Sequence, residues 1–193
     1  MNQGKIRAFI AVTLPETIIE KIGLIQERLK KTKADIQWVK PGNIHLTLKF
    51  LGYINLDELA KLKGGLEKAA EKFSPFFVTV EEIGGFPSID KPRVIWIGIS
   101  QGGELLKVIN RAIEDNLAES GFPRAERSFQ PHLTLGRVRS AKHKETLIKE
   151  VTKERVSIGG VRVNKISIYK SVLTSQGPVY SLLADVALRG RQL

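Results

Sequence analysis

The chain has 193 residues, with apolar and charged fractions of 42% and 26%, enough to bury a real core in one domain or two joined lobes. It contains no cysteine, which excludes disulfides, cysteine-based zinc sites and thiol catalysis. Lys and Arg number 31 against 20 Asp and Glu, a formal charge of +11 that favours a polyanionic partner, RNA or DNA, over a membrane, although a lysine-rich surface serving solubility alone would give the same count.

In chain order, Arg7–Leu14 reads as a buried strand. Its apolar run is too short for a signal peptide or a membrane span. Pro15 suits the first turn of a helix, and Ile18, Ile22, Ile25 and Leu29 recur with helical spacing as far as the lysines Lys30, Lys31 and Lys33. A short strand over Ile36–Val39 and a turn at Pro41–Asn43 follow. Ile44–Phe50 alternates apolar and polar residues with the period of a half-buried strand. Asp57–Phe73 has a helical apolar face that Gly64 and Gly65 weaken. Phe76–Ile83 is a strand and Gly84–Pro92 a turn-rich loop.

The order then starts again. Arg93–Ser100 reads as a strand, Glu104–Ser120 as a helix, Ser128–Val138 as a strand and Lys144–Lys153 as a helix. Val161–Leu173 and Val179–Arg189 read as closing strands. His-Leu-Thr-Leu occurs twice, from His45 and from His132, 87 positions apart. The same offset lays Arg7–Val12 on Val94–Ile99 and the first helix on the third. It also brings Val78–Ile83 close to Lys165–Lys170. One offset for several elements argues for an internal duplication, approximately 5–90 and 92–188, within a single bilobal unit over 1–193. Similar units in one chain tend to pack about a pseudo-two-fold axis. The expected fold is α+β: a duplicated bilobal fold of two mainly antiparallel sheets, helices on the outer faces and a central cleft.

Alternation within the strand sends His45, Thr47 and Lys49 to one face and Ile44, Leu46, Leu48 and Phe50 to the core; it treats His132, Thr134 and Gly136 in the same way. Two imidazoles facing one ligand suit concerted acid–base work, because near neutrality one ring can be neutral and the other protonated. A phosphodiester needs such a pair, one ring taking a proton from the attacking oxygen and the other protonating the leaving oxygen. Thr47 and Thr134 fit as donors to phosphate oxygens, and Lys49 as added positive charge. A half-buried histidine beside a threonine chosen for β propensity is the plainer reading of either motif alone. A metal site is disfavoured, because the third histidine, His143, lies in the basic stretch Lys142–Lys144. These stretches and Lys30–Lys33 serve either as solvated helix ends or as contacts to an RNA backbone.

These motifs resemble the two-histidine phosphoesterase superfamily. Within it, Arg7–Ala11 before Pro15, His45–Gly52, Gly85–Pro87 and Pro131–Arg137 are similar to the RNA 2′,3′-cyclic phosphodiesterases, also called 2′-5′ RNA ligases. The resemblance implies an enzyme with no metal and no cofactor that opens an RNA-terminal or nucleoside 2′,3′-cyclic phosphate to a 2′-phosphate, with reversible 2′-5′ joining. It implies His45 as proton donor and His132 as proton acceptor, although Lys49 alone would argue for His45 as the base. Arg137 is a phosphate ligand if a bend at Gly136 turns it into the cleft, and otherwise a surface arginine. Phe9 and Trp96, equivalent under the offset, either stack on a base or pack in the core. The expected setting is a cytoplasmic monomer acting on RNA, with no membrane partner. A module that binds RNA ends or nucleotides without turnover, and a chiefly ligating enzyme, are the competing readings.

Overall fold

The computed structural model describes residues 4–190. Among them are four helices and nine strands: β1 (Lys5–Val12), α1 (Glu16–Lys30), β2 (Ile36–Trp38), β3 (Leu46–Asn55), α2 (Leu59–Ala70), β4 (Phe76–Phe86), β5 (Val94–Ile99), α3 (Gly103–Glu119), β6 (His132–Val138), α4 (Lys144–Lys153), β7 (Ser157–Val163), β8 (Lys165–Thr174) and β9 (Gly177–Ala187). All strand pairs are antiparallel.

The helices form where apolar residues recur along one face. Ile18, Ile22, Ile25 and Leu29 of α1 are buried, and the helix ends before Lys33, whose φ of 58° leaves the helical region. Ahead of α2, Asn55 and Glu58 form a capping box that satisfies free backbone donors. Gly65 costs α2 some helix propensity but lets it approach α3. A Cβ there would lie 2.9 Å from the Leu117 side chain. The predicted strand Val161–Leu173 is two strands separated at Asn164, because β7 pairs with β4 while β8 pairs with β1.

The strand order is β7-β4-β5-β6-β3-β1-β8-β9, with β2 added to β6. The two halves of this sheet meet at one residue pair, Leu46 with Leu133. These two leucines are equivalent under the 87-residue offset, so the junction lies on the pseudo-two-fold axis. The repeats exchange elements across it. From the first repeat, β4 joins β5 and β7, and α1 packs on β7 and α4. From the second, β8 and β9 complete the sheet beside β1, and α3 packs on α2 and β3. The buried core includes Ile10, Leu46, Leu48, Ile95, Ile97, Leu133 and Leu135 from the strands and Ile22, Leu62, Leu66, Ile109 and Ile113 from the helices. No helix of the described residues is long and apolar enough to cross a membrane.

Candidate active site

The junction positions the two motifs. Leu46 and Leu133 face the core, so His45, Thr47, His132 and Thr134 face the opposite side. Continuing the antiparallel register by one step each way sets His45 across from Thr134 and Thr47 across from His132. Beside them, Thr47 pairs with Ala11 and His132 with Gly98. These two small residues are equivalent in the repeats.

Both imidazoles are fixed in the same way. His45 Nδ1 donates to the Asn43 carbonyl at 2.7 Å, and His132 Nδ1 donates to the Gln130 carbonyl at 2.7 Å. A carbonyl only accepts, so Nδ1 carries the proton in each neutral ring and Nε2 carries the lone pair. Burial lowers the pKa of both rings, and the carbonyl contacts partly oppose it. For His132 the nearby Arg137 guanidinium lowers it further. Among the described residues, no hydrogen bond engages either threonine hydroxyl, which leaves both for a ligand.

Each histidine is also walled by aromatics. Phe9 stacks on His45 at 4.7 Å between centroids, and Tyr180 meets His45 edge-on at 5.2 Å. Phe86 meets His132 edge-on at 4.9 Å and lies beside Trp96. Phe9 is therefore not a platform for a base. It is 3% exposed, with rings of His45 and Tyr169 stacked on it. Trp96, its equivalent, packs among Phe86 and Gly84, with its indole N–H unpartnered.

Strict alternation fails one residue beyond each threonine. In β3 the register with β1 skips Leu48, and in β6 the register with β5 skips Leu135. These equivalent β-bulges put two successive residues on the core side and reverse the phase thereafter. Arg137 thus comes to the cleft face without requiring a bend at Gly136. Lys49 and Gly136 turn inward instead. Lys49 is 4% exposed, bonded to Glu114 Oε2 at 2.5 Å and to the Pro123 carbonyl at 2.8 Å. It cannot touch a ligand in the cleft, which corrects its expected phosphate role. Gly136 lies under β2, where a Cβ would meet Ile36 at 2.5 Å. Phe50, expected in the core, is 66% exposed. The bulged carbonyls are satisfied from the helices: Asn110 Nδ2 donates to Leu48 O at 2.8 Å and Gln26 Nε2 to Leu135 O at 2.9 Å.

The site therefore gathers His45, Thr47, His132, Thr134 and Arg137 on one face. It adds Tyr180, Phe86, Phe50 and Arg7, to which the sequence alone assigns no part in the site; Arg7 and Phe86 lie in stretches that carry the family resemblance. The offset itself pointed to Phe50: it is the equivalent of Arg137, so whatever turns one outward turns the other. No group of three or more candidate metal ligands occurs among the described residues.

The arrangement, two histidine–threonine motifs related by a pseudo-two-fold axis, has known counterparts. The family model described as LigT-like phosphoesterase matches twice, over residues 12–96 and 97–180. An RNA 2′,3′-cyclic phosphodiesterase of Aquifex aeolicus is 35% identical over 96% of this chain and 98% of its own. One of Methanothermobacter thermautotrophicus is 33% identical over 92% and 96%. The crystal structure of TT0787 of Thermus thermophilus superposes with a TM-score of 0.79 at 26% identity, over 96% of this chain and all of that one. On this evidence the chain belongs to the LigT-like phosphoesterase family.

Proposed function

We propose that this protein opens 2′,3′-cyclic phosphates at RNA ends and on nucleosides, leaving a 2′-phosphomonoester; its relatives from Aquifex aeolicus and Methanothermobacter thermautotrophicus are named RNA 2′,3′-cyclic phosphodiesterases. The observation that carries the reading is the mutual placement of the motifs: each histidine lies across from the other motif's threonine, with Nδ1 bound to a carbonyl and Nε2 left for chemistry.

In this reading His132 Nε2 takes a proton from water as the water oxygen attacks phosphorus. The P–O3′ bond breaks, and His45, entering as the imidazolium, gives its Nε2 proton to O3′. The product has a 2′-phosphate and a free 3′-hydroxyl, and no metal or cofactor is needed. Thr47, Thr134 and Arg137 hold the non-bridging oxygens as charge grows on them. Arg137 supports this division of roles. It disfavours imidazolium at His132 and not at His45, which suits His132 to accept a proton. With the 5′-hydroxyl of a second RNA in place of water, the same step forms a 2′-5′ linkage. We take the working unit to be one cytoplasmic chain, its repeats forming a single bilobal domain.

The test is to incubate the protein with an RNA ending in a 2′,3′-cyclic phosphate and identify the product by phosphorus NMR. The 2′-phosphomonoester is expected, with His45→Ala and His132→Ala each slower by about 10² to 10⁴. Replacing the 3′ bridging oxygen with sulfur makes a leaving group that scarcely needs protonation. It should rescue His45→Ala and not His132→Ala; the reverse rescue would exchange the roles, and unchanged turnover in His132→Ala would overturn the mechanism.

A further inference from the structure

The two imidazoles of the site are held by carbonyls at equivalent places, Asn43 and Gln130, 87 positions apart. The side chains of these two residues differ in what they hold. Gln130 is exposed, and among the described residues its amide makes no hydrogen bond. Asn43 is half-buried, and its Nδ2 donates at 2.8 Å to the carbonyl of Pro178, 135 residues further along the chain. Pro41–Asn43 is a single turn of 3₁₀ helix, closed by Asn43 N–H on the Lys40 carbonyl at 2.8 Å and Ile44 N–H on the Pro41 carbonyl at 3.0 Å. β9 is the last strand of the sheet and pairs with β8 alone. Among the described residues, the Asn43 amide makes the one hydrogen bond between this turn and β9. Two residues past Pro178, Tyr180 lies edge-on to His45 with ring centroids 5.2 Å apart, and edge-on to Phe9 at 4.9 Å. Asn43 thus acts on His45 twice. Its main chain holds Nδ1, and its side chain holds the strand whose ring packs against the imidazole.

A lone 3₁₀ turn has poorer hydrogen-bond geometry than a helix and fixes the direction of its carbonyl weakly by itself. A proton donor needs that direction fixed, because a displacement of about 1 Å can cost on the order of 10²-fold in rate. The acceptor works on a water molecule, which can turn to meet it. The donor works on one oxygen of a bound ribose, which cannot. We infer that Asn43 is a positioning residue for the proton donor: through Pro178 it locks the catalytic turn to β9, fixing both the carbonyl that orients His45 and the Tyr180 ring that confines it. The bond to the carbonyl keeps one proton of the imidazolium on Nδ1, so that the proton given up is the one on Nε2. His132 has no corresponding lock, since the Gln130 amide makes no such bond.

The inference rests on the proposed opening of cyclic phosphates with His45 as donor, and one of its readouts needs no turnover. Nitrogen NMR reads which ring nitrogen carries the proton in each neutral histidine. Asn43→Ala should move His45 from the Nδ1–H form toward the Nε2–H form and leave His132 as it is. With a nucleoside 2′,3′-cyclic phosphate, kcat and kcat/KM should fall together, on the order of 10- to 100-fold, with KM little changed. Asn43→Gln keeps a donor on a longer arm and should recover part of the loss. The substrate with sulfur at the 3′ bridging position should rescue Asn43→Ala as it rescues His45→Ala, because a displaced donor is then scarcely missed. A general loss of stability would slow both substrates alike. Asn43→Ala should also cost less when Tyr180 is already alanine, since part of its effect passes through that ring. An unchanged His45 tautomer, rescue of His45→Ala without rescue of Asn43→Ala, or strictly additive losses with Tyr180→Ala would each overturn the assignment. If the wild type opens no cyclic phosphate, the enzymatic reading fails, and the tautomer shift still decides whether the Asn43 amide holds His45.

Discussion

Gln26 on α1 reaches across 109 residues of chain to Leu135 on β6, its Nε2 donating to the bulged carbonyl at 2.9 Å and to the Val39 carbonyl at 2.9 Å. The amide is buried, at 1% exposure. Leu135 also accepts from Val39 N–H at 2.9 Å, so this one carbonyl ties α1, the end of β2 and the second motif together. Leu135 precedes Arg137 by two residues, and its bulge is what turns that guanidinium to the cleft face.

Gln26→Leu should therefore cost stability and function separately. The Val39 carbonyl loses its donor and the Leu135 carbonyl keeps only Val39 N–H, which is worth about 1–3 kcal/mol for the group left unsatisfied, readable as a lower urea midpoint. Because the bulge loosens, kcat/KM should fall further than in an exposed control such as Glu27→Leu. A variant with the wild-type midpoint would show that the amide is dispensable.

Lys49 and Glu114 form a buried ion pair, and Glu114 Oε2 also accepts from Ala125 N–H at 3.1 Å. Pro123 and Ala125 occupy the places that Ile36 and Trp38 hold in the other repeat, where β2 pairs directly with β6. The pair thus does with side chains what a strand does on the other side. Lys49→Met strands a buried carboxylate and should cost on the order of 3–5 kcal/mol, with most of it recovered in Lys49→Met/Glu114→Leu. Denaturation curves of the two singles and the double would decide it; additive losses would argue against coupling.

Stability should fall on the acid side through the two cleft histidines. Burial holds both below the ordinary value of 6.5 in the folded protein. The unfolded chain then takes up protons first as pH drops, so their contribution is complete above about 6.5 and is lost as pH falls through the lowered folded values. Urea midpoints between pH 7.5 and 5 should decline more steeply for the wild type than for His45→Asn/His132→Asn. Parallel declines would place the acid sensitivity elsewhere.

Turnover should persist in excess EDTA, because the proposed proton transfers use only imidazoles. Loss of activity that returns with a divalent ion would contradict the scheme. RNA oligonucleotide binding should weaken steeply with added salt, and mononucleotide binding less, in proportion to the phosphates each engages.

Much of this was legible in the chain itself. The repeated His-x-Thr motif, its strand setting and the duplication follow from period and offset, and α4 falls on its predicted bounds, Lys144–Lys153. What alternation could not show was its own interruption. Leu48 and Leu135 look like ordinary inward residues, and only pairing with β1 and β5 reveals them as bulges. Hence Lys49 was expected outside and Phe50 inside, the reverse of what is found. Phe9 was open between two roles, and the stacked rings of His45 and Tyr169 decide for packing. Tyr180 and Phe86 each meet a histidine that lies far off in sequence, and no local pattern announces those meetings.

The exchange of β4 and α1 for β8, β9 and α3 has a historical corollary. A single-copy ancestor of this fold would have had no complete half of its own, since each half of the sheet draws strands from both repeats. Two such chains could close their sheets only by lending elements to each other, as in a domain-swapped dimer. That dimer would have carried two identical motifs about a true two-fold axis. Fusion into one polypeptide freed the two copies to diverge, and the replacement of one residue type by another at positions 50 and 137 is where a formerly symmetric mouth acquired a left and a right.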